Sequence, residues 1–358
     1  MIKIKTADLK SFLAISRKFK QNKILPVLDF FKIECVGDKV ILTDTNKDAF
    51  IAREIPGEFD TECEFLVERN LVWSLVSNTS SEYLTITQKG NNKIKITDDN
   101  GDTNASTDDV SLYLKMPEFS SCDKIKLNLQ ALTLIRIAAK YCAVQNIEAG
   151  TDNLAFVHIV AEKDNSFIFA SDRWVFYSNY IEDEKFNAII RPSDIELFDY
   201  SKEAYYSSNK NWVFYDCGTT VFAFVKSEAV SPNIKNYITG IVKDNCFTIL
   251  KEDVLLFCNR SNAINPGKSN SVCSLKESGE NAMEFLYENV DFEKSTNMVF
   301  NVVKQGTLSD FKFNATVMVS MIEPLPYKSI TFVRSGDMYY LYNDVDDMFV
   351  GIIMGIKQ

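Results

Sequence analysis

The chain has 358 residues, roughly two to three times the usual length of one domain, so the sequence predicts two or three domains with cores of their own. Apolar residues make up 46% and charged residues 25%, a composition that excludes a disordered chain, a collagen-like repeat or a disulfide-rich scaffold. The 39 Lys and Arg against 49 Asp and Glu give a net charge of -10, which taken alone argues against nucleic-acid binding over the whole surface.

The N-terminal segment and the cysteines indicate the compartment. Lys and Asp interrupt every apolar run in the first 20 residues, so no signal peptide or membrane span is expected there. No later run reaches the roughly 18 apolar residues of a spanning helix, so we expect no membrane contact and a cytoplasmic location. The 8 cysteines are scattered without a Cys-x-x-Cys pair, which predicts reduced core thiols rather than disulfides or metal ligands.

A strand followed directly by a helix is predicted at three places along the chain. The segments are IKIKTADLKSFLAI from Ile2, IKLNLQALTLIRIA from Ile125 and FTILKEDVLLFCNR from Phe247. A step of about 123 residues superposes their apolar positions, which are Ile4, Leu127 and Ile249 in the strands, and Leu9, Leu132 and Val254, then Phe12, Ile135 and Phe257, in the helices. This periodicity predicts a threefold internal repeat.

A second strand-to-helix pattern lies about 60 residues after the first in each repeat. It is EFLVERNLVWSLV around Val67, AIIRPSDIELFD around Ile190 and FKFNATVMVSMIE around Phe313, and these three anchors are 123 residues apart. The segments between the helices are short, alternating or apolar runs separated by turn residues. Each of the six half-units is therefore predicted to be β-α-β-β-β.

Paired half-units predict an α+β fold, with three tandem repeats of a two-half βαβββ unit and two helices on one side of antiparallel sheets. The periodicity lapses around residues 117–123 and 237–245, so the predicted domains are 1–121, 122–243 and 244–358. The alternative is a chance alignment of three unrelated segments, because apolar alternation is common. Two independent anchors that keep nearly the same step favour duplication.

Five segments, in order along the chain, are similar to segments of one protein family. KILPVLDFFKIECVGDKVILTDTNKDAFIAREI near the start has a Leu-Pro that opens a strand and a Thr-Asp that closes the next hairpin. FASDRWVFYSNYI occupies the place of the family's Thr-Asp-Gly-His-Arg-Leu, and its Ser171-Asp172 is matched with Thr43-Asp44. SPNIKNYI from Ser231 resembles a Pro-Asn-Tyr segment, FKFNATVMVSMI the last helix, and IIMGIKQ stands at a Met-Pro-Met-Arg-Leu. Their order and spacing over the whole chain resemble the bacterial DNA polymerase III sliding clamp, the β subunit.

The resemblance implies a DNA clamp fold in a ring-shaped, head-to-tail homodimer, with the helices lining the inside and the sheets outside. The implied partners are double-stranded DNA, bound without sequence preference, a DNA polymerase subunit, the clamp loader and other proteins with clamp-binding motifs. No cofactor, metal or catalysis is implied. A sliding contact needs only weak phosphate binding, so an acidic total charge is compatible with cations confined to the inner surface.

Cations off the apolar helix faces are candidates for the DNA contact. Lys10 and Arg17 share one stripe of the first helix, and Lys140 lies 123 residues after Arg17 on the repeat equivalent. With the other helix cations, and the loops that the resemblance places at the ring face, the predicted DNA-binding set is Lys10, Arg17, Lys20, Asn22, Lys23, Arg69, Arg136, Lys140, Gln145, Asn146, Arg191, Arg260 and Lys268. The alternatives are a solvated helix face for each cation and ordinary turn chemistry for each loop.

The resemblance also implies a hydrophobic cleft that captures short peptide motifs between the second and third domains. Carried over by position, its lining is Ser171, Arg173, Trp174, Phe176, Pro232, Tyr237, Ile352, Met354, Gly355 and Ile356. Trp174 replaces the family's His, Val175 its Arg, and Gly355-Ile356-Lys357-Gln358 its Pro-Met-Arg-Leu. We therefore expect peptide binding with altered specificity; the alternative for Trp174 is a core aromatic residue beside Phe176.

The sequence offers little for catalysis. His158 is the single histidine and lies in the apolar strand LAFVHIVA, so it is expected to be a core or surface residue rather than a base. No phosphate-binding glycine motif occurs, and the acidic groups at 98–102 and 344–347 resemble calcium loops only in composition and predict turns. An enzyme is not expected. A clamp-fold scaffold or protein-binding module without a DNA role is the alternative function, and a hydrolase with paired carboxylates has no positional support.

Overall fold

The computed structural model describes residues 1–19, 25–90, 92–118, 124–143, 152–197, 203–234, 238, 240–265, 271–289, 293–308, 310–336, 338–343 and 349–356. The helices within these residues are α1 (Thr6–Ser16), α2 (Arg69–Asn78), α3 (Leu129–Ala139), α4 (Pro192–Ile195), α5 (Lys251–Ile264) and α6 (Ala315–Ile322). Three short 3-10 helices cover Pro26–Asp29, Val110–Leu112 and Asp152–Ala155.

Strands make up most of the ordered structure. The strands of the first predicted domain are β1 (Ile2–Lys5), β2 (Phe30–Val36), β3 (Lys39–Thr45), β4 (Ala49–Ile55), β5 (Gly57–Phe59), β6 (Cys63–Glu68), β7 (Tyr83–Gln88), β8 (Lys93–Asp98) and β9 (Gly101–Ser106). Those of the second are β10 (Ile125–Leu127), β11 (Val157–Ala161), β12 (Ser166–Ser171), β13 (Val175–Ile181), β14 (Ala188–Ile190), β15 (Ala204–Ser208), β16 (Trp212–Asp216) and β17 (Thr220–Val225). Those of the third are β18 (Cys246–Leu250), β19 (Val272–Glu277), β20 (Ala282–Asn289), β21 (Lys294–Asn301), β22 (Val303–Gln305), β23 (Phe311–Asn314), β24 (Ser329–Ser335), β25 (Met338–Asn343) and β26 (Phe349–Met354).

The element order confirms the six half-units. Each is a strand, a helix and three further strands, from β1-α1-β2-β3-β4 to β23-α6-β24-β25-β26. Two short strands stand outside this pattern at equivalent places, since β5 pairs with β1 and β22 pairs with β18, the first strands of the first and third repeats. The predicted α+β class with repeated βαβββ units is therefore correct.

Paired half-units exchange their first strands. Strand β1 joins the sheet of β7 to β9, while β6 joins the sheet of β2 to β4. The same exchange recurs with β10 on β15 and β14 on β11, and with β18 on β24 and β23 on β19. Because each half contributes a strand to the other's sheet, the two halves of a repeat cannot separate without breaking ladder hydrogen bonds.

The chain forms two compact units, Met1–Leu129 with Leu197–Ser227, and Gln130–Glu196 with Glu228–Gln358. The first contains the sheets β5-β1-β7-β8-β9 and β10-β15-β16-β17-β4-β3-β2-β6. The second contains β14-β11-β12-β13-β26-β25-β24-β18-β22 and β21-β20-β19-β23. The division into domains 1–121, 122–243 and 244–358 stays a prediction.

The repeat anchors are core residues. On α1, Leu9, Phe12 and Leu13 are completely buried, while Lys10 and Arg17 are exposed. The corresponding helix positions of α3 and α5 are buried too, and so are the strand anchors Ile4, Leu127 and Ile249. The periodicity seen in the sequence is therefore the periodicity of burial.

Candidate functional site

The turn at residues 171–175, between β12 and β13, carries the central side chains of the predicted cleft. Asp172 Oδ1 accepts hydrogen bonds from the backbone N–H groups of Trp174 and Val175, at 3.0 and 2.9 Å. Ser171 Oγ donates to the Val175 carbonyl at 2.8 Å. A short acidic side chain that binds the N–H groups two and three residues ahead holds a tight turn, so Asp172 fixes the backbone at Trp174.

Arg173 has a left-handed backbone with φ of 85°. A residue with a Cβ is disfavoured there by about 1 to 2 kcal/mol, whereas glycine adopts this conformation freely. The motif that this segment resembles has Gly at the same position, and Arg173 keeps the turn of a glycine without being one. Backbone strain of this kind is commonly retained where a side chain has a function.

The turn at residues 45–49, between β3 and β4, is built in the same way. Asn46 Oδ1 accepts from the N–H groups two and three residues ahead, at 3.1 and 2.8 Å, Thr45 Oγ1 donates to the Ala49 carbonyl at 2.8 Å, and Lys47 has φ of 86°. The structural equivalent of Ser171-Asp172 is therefore Thr45-Asn46. The sequence match with Thr43-Asp44 was wrong by two residues, because Asp44 is a buried residue of β3 and not part of the turn.

A groove of about 430 Å³ lies beside the turn at 171–175. Its lining is Leu154, Ser171, Arg173, Trp174, Val175, Phe176, Ile234, Ile238, Met338, Ile352 and Met354. Pairing of β13 with β26 sets Phe176 opposite Ile352, and pairing of β25 with β26 sets Met338 opposite Met354. Three neighbouring strands therefore supply one continuous apolar surface.

Two large apolar side chains of the groove are open to solvent. Trp174 is 61% exposed and Met354 is 47% exposed, whereas Phe176 and Ile352 beneath them are buried. The expectation of a core aromatic residue at 174 is not met, because the turn carries the indole outward. Exposed apolar surface next to a concave wall is typical of a site that is covered by a ligand.

Gly351 on β26 allows this arrangement. A Cβ at this position would collide with the Phe176 carbonyl oxygen and with the Met321 side chain. Only glycine lets β26 approach β13 closely enough for the wall of the groove to form.

The structure brings six of the ten predicted cleft residues together, namely Ser171, Arg173, Trp174, Phe176, Ile352 and Met354. Pro232 lines a smaller adjacent pocket of about 230 Å³, which shares Ile234 with the groove. Tyr237 lies outside the described residues.

Gly355 and Ile356 were predicted for the cleft and are placed elsewhere. Both line a different cavity of about 720 Å³, beside β19, β20 and β23. The Ile356 N–H donates to the Lys312 carbonyl at 2.9 Å, so the chain leaves β26 after Met354 and pairs with β23. The position-by-position transfer failed here because the tail departs from the family's Pro-Met-Arg-Leu.

Sequence reasoning did not include Leu154, Val175, Ile234, Ile238 and Met338 among the lining residues. Met338 could have been found only from the pairing of β25 with β26, which brings it opposite Met354. Val175 was seen as a departure from the family and not as a wall residue. The other three sit in irregular or short segments that carry no periodic signal.

The predicted DNA-binding cations have three different fates. Lys10, Arg17, Arg136, Lys140 and Arg260 are exposed on α1, α3 and α5 or at their ends, and Arg191 is half-buried in front of α4. Lys20, Asn22, Lys23, Gln145, Asn146 and Lys268 lie outside the described residues. Arg69 is 4% exposed and belongs to the core.

Arg69 is a correction to the predicted DNA contact. Its Nε and Nη2 donate to the two carboxylate oxygens of Asp44 at 2.7 and 2.6 Å, and Nη2 also donates to the Leu28 carbonyl at 2.8 Å. Asp44 is 0% exposed and also accepts from the Ser16 hydroxyl and the Thr45 N–H. A bidentate pair that is fully enclosed has no N–H left for a phosphate.

His158 is 1% exposed and hydrogen-bonded at both ring nitrogens. Nε2 faces the Asn153 carbonyl, which can only accept, so Nε2 carries the proton and Nδ1 accepts from the Ser231 hydroxyl at 3.1 Å. Burial lowers the pKa of His158 below its ordinary value. The ring is thus a neutral core group, as expected.

Other chemical groups are sparse. Within the described ranges no three or more His, Cys, Asp or Glu side chains gather as metal ligands could, and no disulfide joins the described cysteines. None of the helices in this part of the chain has the length and apolar character needed to cross a bilayer. Asp98 accepts from the Asn100 and Gly101 N–H groups in the turn between β8 and β9, whereas residues 344–347 lie outside the described part.

Comparison with known proteins finds likeness in structure alone. No protein-family model and no curated protein matches the sequence. The β subunit of DNA polymerase from Streptococcus pyogenes superposes with a TM-score of 0.91 at 15% identity, covering 100% of both chains. The DNA polymerase sliding clamp from Bacillus subtilis gives 0.90 at 14% identity, covering 100% of this chain and 99% of the other.

A third solved structure holds a ligand. The sliding clamp from Bartonella birtlesii, bound to griselimycin, superposes with a TM-score of 0.88 at 12% identity, covering 100% of this chain and 99% of the other. With full coverage on these structures and six βαβββ half-units in sequence, this chain has the fold of the bacterial DNA polymerase III sliding clamps.

Proposed function

We propose that the protein is a DNA sliding clamp, a processivity factor that encircles duplex DNA as a ring-shaped homodimer. It tethers a replicative DNA polymerase and other replication and repair proteins through the groove beside Trp174, works in the cytoplasm and performs no catalysis itself. The observation that carries the proposal is that groove, an uncovered apolar site on a clamp fold. Tethering raises the local concentration of the polymerase at its template, which is the physical benefit of a clamp.

The solvent faces of two helices support the DNA contact. The exposed residues of α1 and the residues just after it are Ala7, Lys10, Ser11, Ala14, Arg17 and Lys18, which include three cations and no carboxylate. On α3 and just after it, the exposed residues are Leu129, Gln130, Thr133, Arg136 and Lys140. Such faces attract phosphates without reading bases, and net charge elsewhere on the surface does not oppose this.

Free strand edges support the homodimer. Strand β9 ends the sheet β5-β1-β7-β8-β9, and β21 ends the sheet β21-β20-β19-β23. We propose that β9 of one copy pairs with β21 of the other, because an unpaired edge is a ready template for strand addition. Sedimentation equilibrium should then give twice the 40.7 kDa of the chain. A 40.7 kDa species at micromolar concentration would contradict ring closure.

The groove is suited to a peptide with large apolar anchors. Met354 is flexible and can pack around different side chains, and the exposed Trp174 offers a flat aromatic surface. Fluorescein-labelled C-terminal peptides of the polymerase from the same cell are suitable probes, with griselimycin as competitor because a clamp of this fold binds it. Saturable peptide binding that griselimycin displaces supports the proposal. Binding that persists unchanged in Trp174→Ala and Met354→Ala would remove the groove from it.

The alternative is a clamp-fold scaffold that binds proteins but not DNA. It is favoured by the net charge of -10 and by α2 and α6, whose exposed residues include no Lys or Arg. Both functions use the groove, so peptide binding does not separate them. Retention on circular but not on linear DNA does, since only an enclosed duplex is held topologically.

A further inference from the structure

Arg17, one of the candidate phosphate contacts, is stacked on a tryptophan of the neighbouring helix. Its guanidinium carbon lies 4.5 Å from the centroid of the Trp73 ring. Arg17 caps the C-terminal end of α1 and is exposed, whereas Trp73 lies on α2 and is half-buried. Among the described residues Arg17 has no ion pair and no side-chain hydrogen bond, so the indole is its one side-chain contact.

The buried ion pair described above sets the distance between these two side chains. Asp44 accepts from Ser16, the last residue of α1, and from Arg69, the first residue of α2. Arg17 follows Ser16 directly, and Trp73 stands one turn after Arg69 on the same side of α2. One carboxylate thus ties the end of α1 to the start of α2, and the cation and the ring meet one step further out.

We propose that Trp73 is a positioning residue for DNA binding, which holds the Arg17 guanidinium with one face on the indole and its N–H groups free for a backbone phosphate. The inference rests on the proposed clamp function. A planar guanidinium donates in its own plane, so stacking restricts its rotation without occupying a donor. Arginine loses less freedom on binding when its orientation is already fixed, and the contact adds affinity without adding charge.

The position of Trp73 makes a distinctive pattern of effects. Removing Arg17 deletes a phosphate contact and should lower the slope of log affinity against log salt by about 0.9. Removing Trp73 should leave that slope unchanged and weaken binding by about two- to fivefold, the range of an exposed cation–π contact. Because Trp73 acts through Arg17, its removal should have no further effect once Arg17 is alanine.

A matched control exists in the same unit. Lys3 Nζ lies 4.5 Å from the centroid of the Tyr83 ring, but this pair joins strands β1 and β7 and involves no helix. Tyr83→Ala therefore removes a cation–π contact of the same separation from a place with no proposed role in DNA binding. Trp73→Phe keeps an aromatic face in position and should restore most of the affinity.

The experiment measures the affinity of the full-length dimer for a blunt 24-base-pair duplex by fluorescence anisotropy over a series of salt concentrations. Expected are weaker binding for Trp73→Ala at an unchanged slope, near wild-type binding for Trp73→Phe and Tyr83→Ala, and equal affinities for Arg17→Ala and the double variant. Wild-type affinity in Trp73→Ala, or an additive loss in the double variant, overturns the positioning role while DNA binding stands. Failure of the wild-type protein to bind any duplex overturns the clamp function and this inference together.

Discussion

The turns at 45–49 and 171–175 share a backbone but not a function. Both use an Asn or Asp oxygen to bind two N–H groups ahead, and both have a basic residue with φ near 85°. The next position is Asp48 in one turn and Trp174 in the other, and both are exposed. The hairpin backbone is thus a property of the repeat, whereas one side chain at its tip decides whether the turn borders a binding groove.

The strands that lead into the two turns differ as well. Two residues before Asn46 stands Asp44, whose charge is buried and paired with Arg69. The equivalent position before Asp172 is Ala170, which is also 0% exposed. The first region therefore depends on an internal ion pair for its core, while the second has an apolar core and leaves its aromatic residue outside.

Loss of the buried ion pair is expected to have the largest effect. Arg69→Ala leaves the Asp44 carboxylate buried without its cation, which should cost about 3 to 5 kcal/mol in the free energy of unfolding, measured by urea titration. The double variant Asp44→Asn/Arg69→Met should lose less, because no charge is stranded. Lys39→Ala, which breaks the exposed pair with Glu54, is the matched control and should change stability little. Equal losses for Arg69→Ala and Lys39→Ala would remove the ion pair from the account.

The tip residues should separate the two turns in binding. Trp174→Ala should weaken the peptide probe at least tenfold, about 1.4 kcal/mol or more, with little change in stability because the indole is exposed. Asp48→Ala removes the equivalent side chain of the other turn and should leave peptide affinity unchanged. Fluorescence polarisation measures both. A similar loss in the two variants would mean that the turns are not distinguished by their tips.

Relief of backbone strain should affect the two turns alike. Arg173→Gly and Lys47→Gly each place glycine in a left-handed position, so each should raise the free energy of unfolding by about 0.5 to 1 kcal/mol. Lys163→Gly, at a turn residue without positive φ, should lower it. Thermal and urea unfolding provide the measurement. Destabilisation by Arg173→Gly would contradict the strain inferred at the groove.

The smallest effect concerns pH and the second region alone. His158 packs its ring on Phe169, with centroids 4.9 Å apart, and its lowered pKa favours the neutral form in the folded protein. The unfolded chain takes up a proton near the model value of 6.5, so stability is unaffected above that pH. It falls as the pH drops below 6.5 toward the lower folded value, by at most about 1.4 kcal/mol per pH unit. His158→Gln should remove this component of the slope between pH 7 and 5.5, and an identical slope in the variant would refute it.

Burial periodicity explains how much of the fold was predictable. Leu9, Leu132 and Val254 occupy equivalent core positions, and a repeated core imposes a repeated pattern that one sequence displays. The exchange of first strands between half-units was not predictable, since alternation does not name a strand's partner. The two-residue error at Thr43-Asp44 arose because a buried Asp and a turn Asn both follow a Thr.

The candidate site was predictable where a local motif fixes it. The turn at 171–175 was found through its similarity to a known segment, and it does present Trp174 at the groove. Met338 was missed because its place depends on strand pairing, and Gly355 was misplaced because the tail pairs with β23. The burial of Arg69 had no local signal, since a helix-start arginine looks the same whether it meets solvent or Asp44.

Retention on DNA before and after a single cut tests the clamp function most directly. The fluorescent dimer is loaded by its cognate clamp loader onto a nicked circular plasmid, separated from free protein by gel filtration, and divided into two halves. One half is linearised by a restriction enzyme, and DNA-bound fluorescence is followed in both. Persistent binding to circles with rapid loss after linearisation is the predicted result, because a weak sliding contact is held only by topology. Equal loss from circles and linear DNA, with the dimer intact, would contradict it.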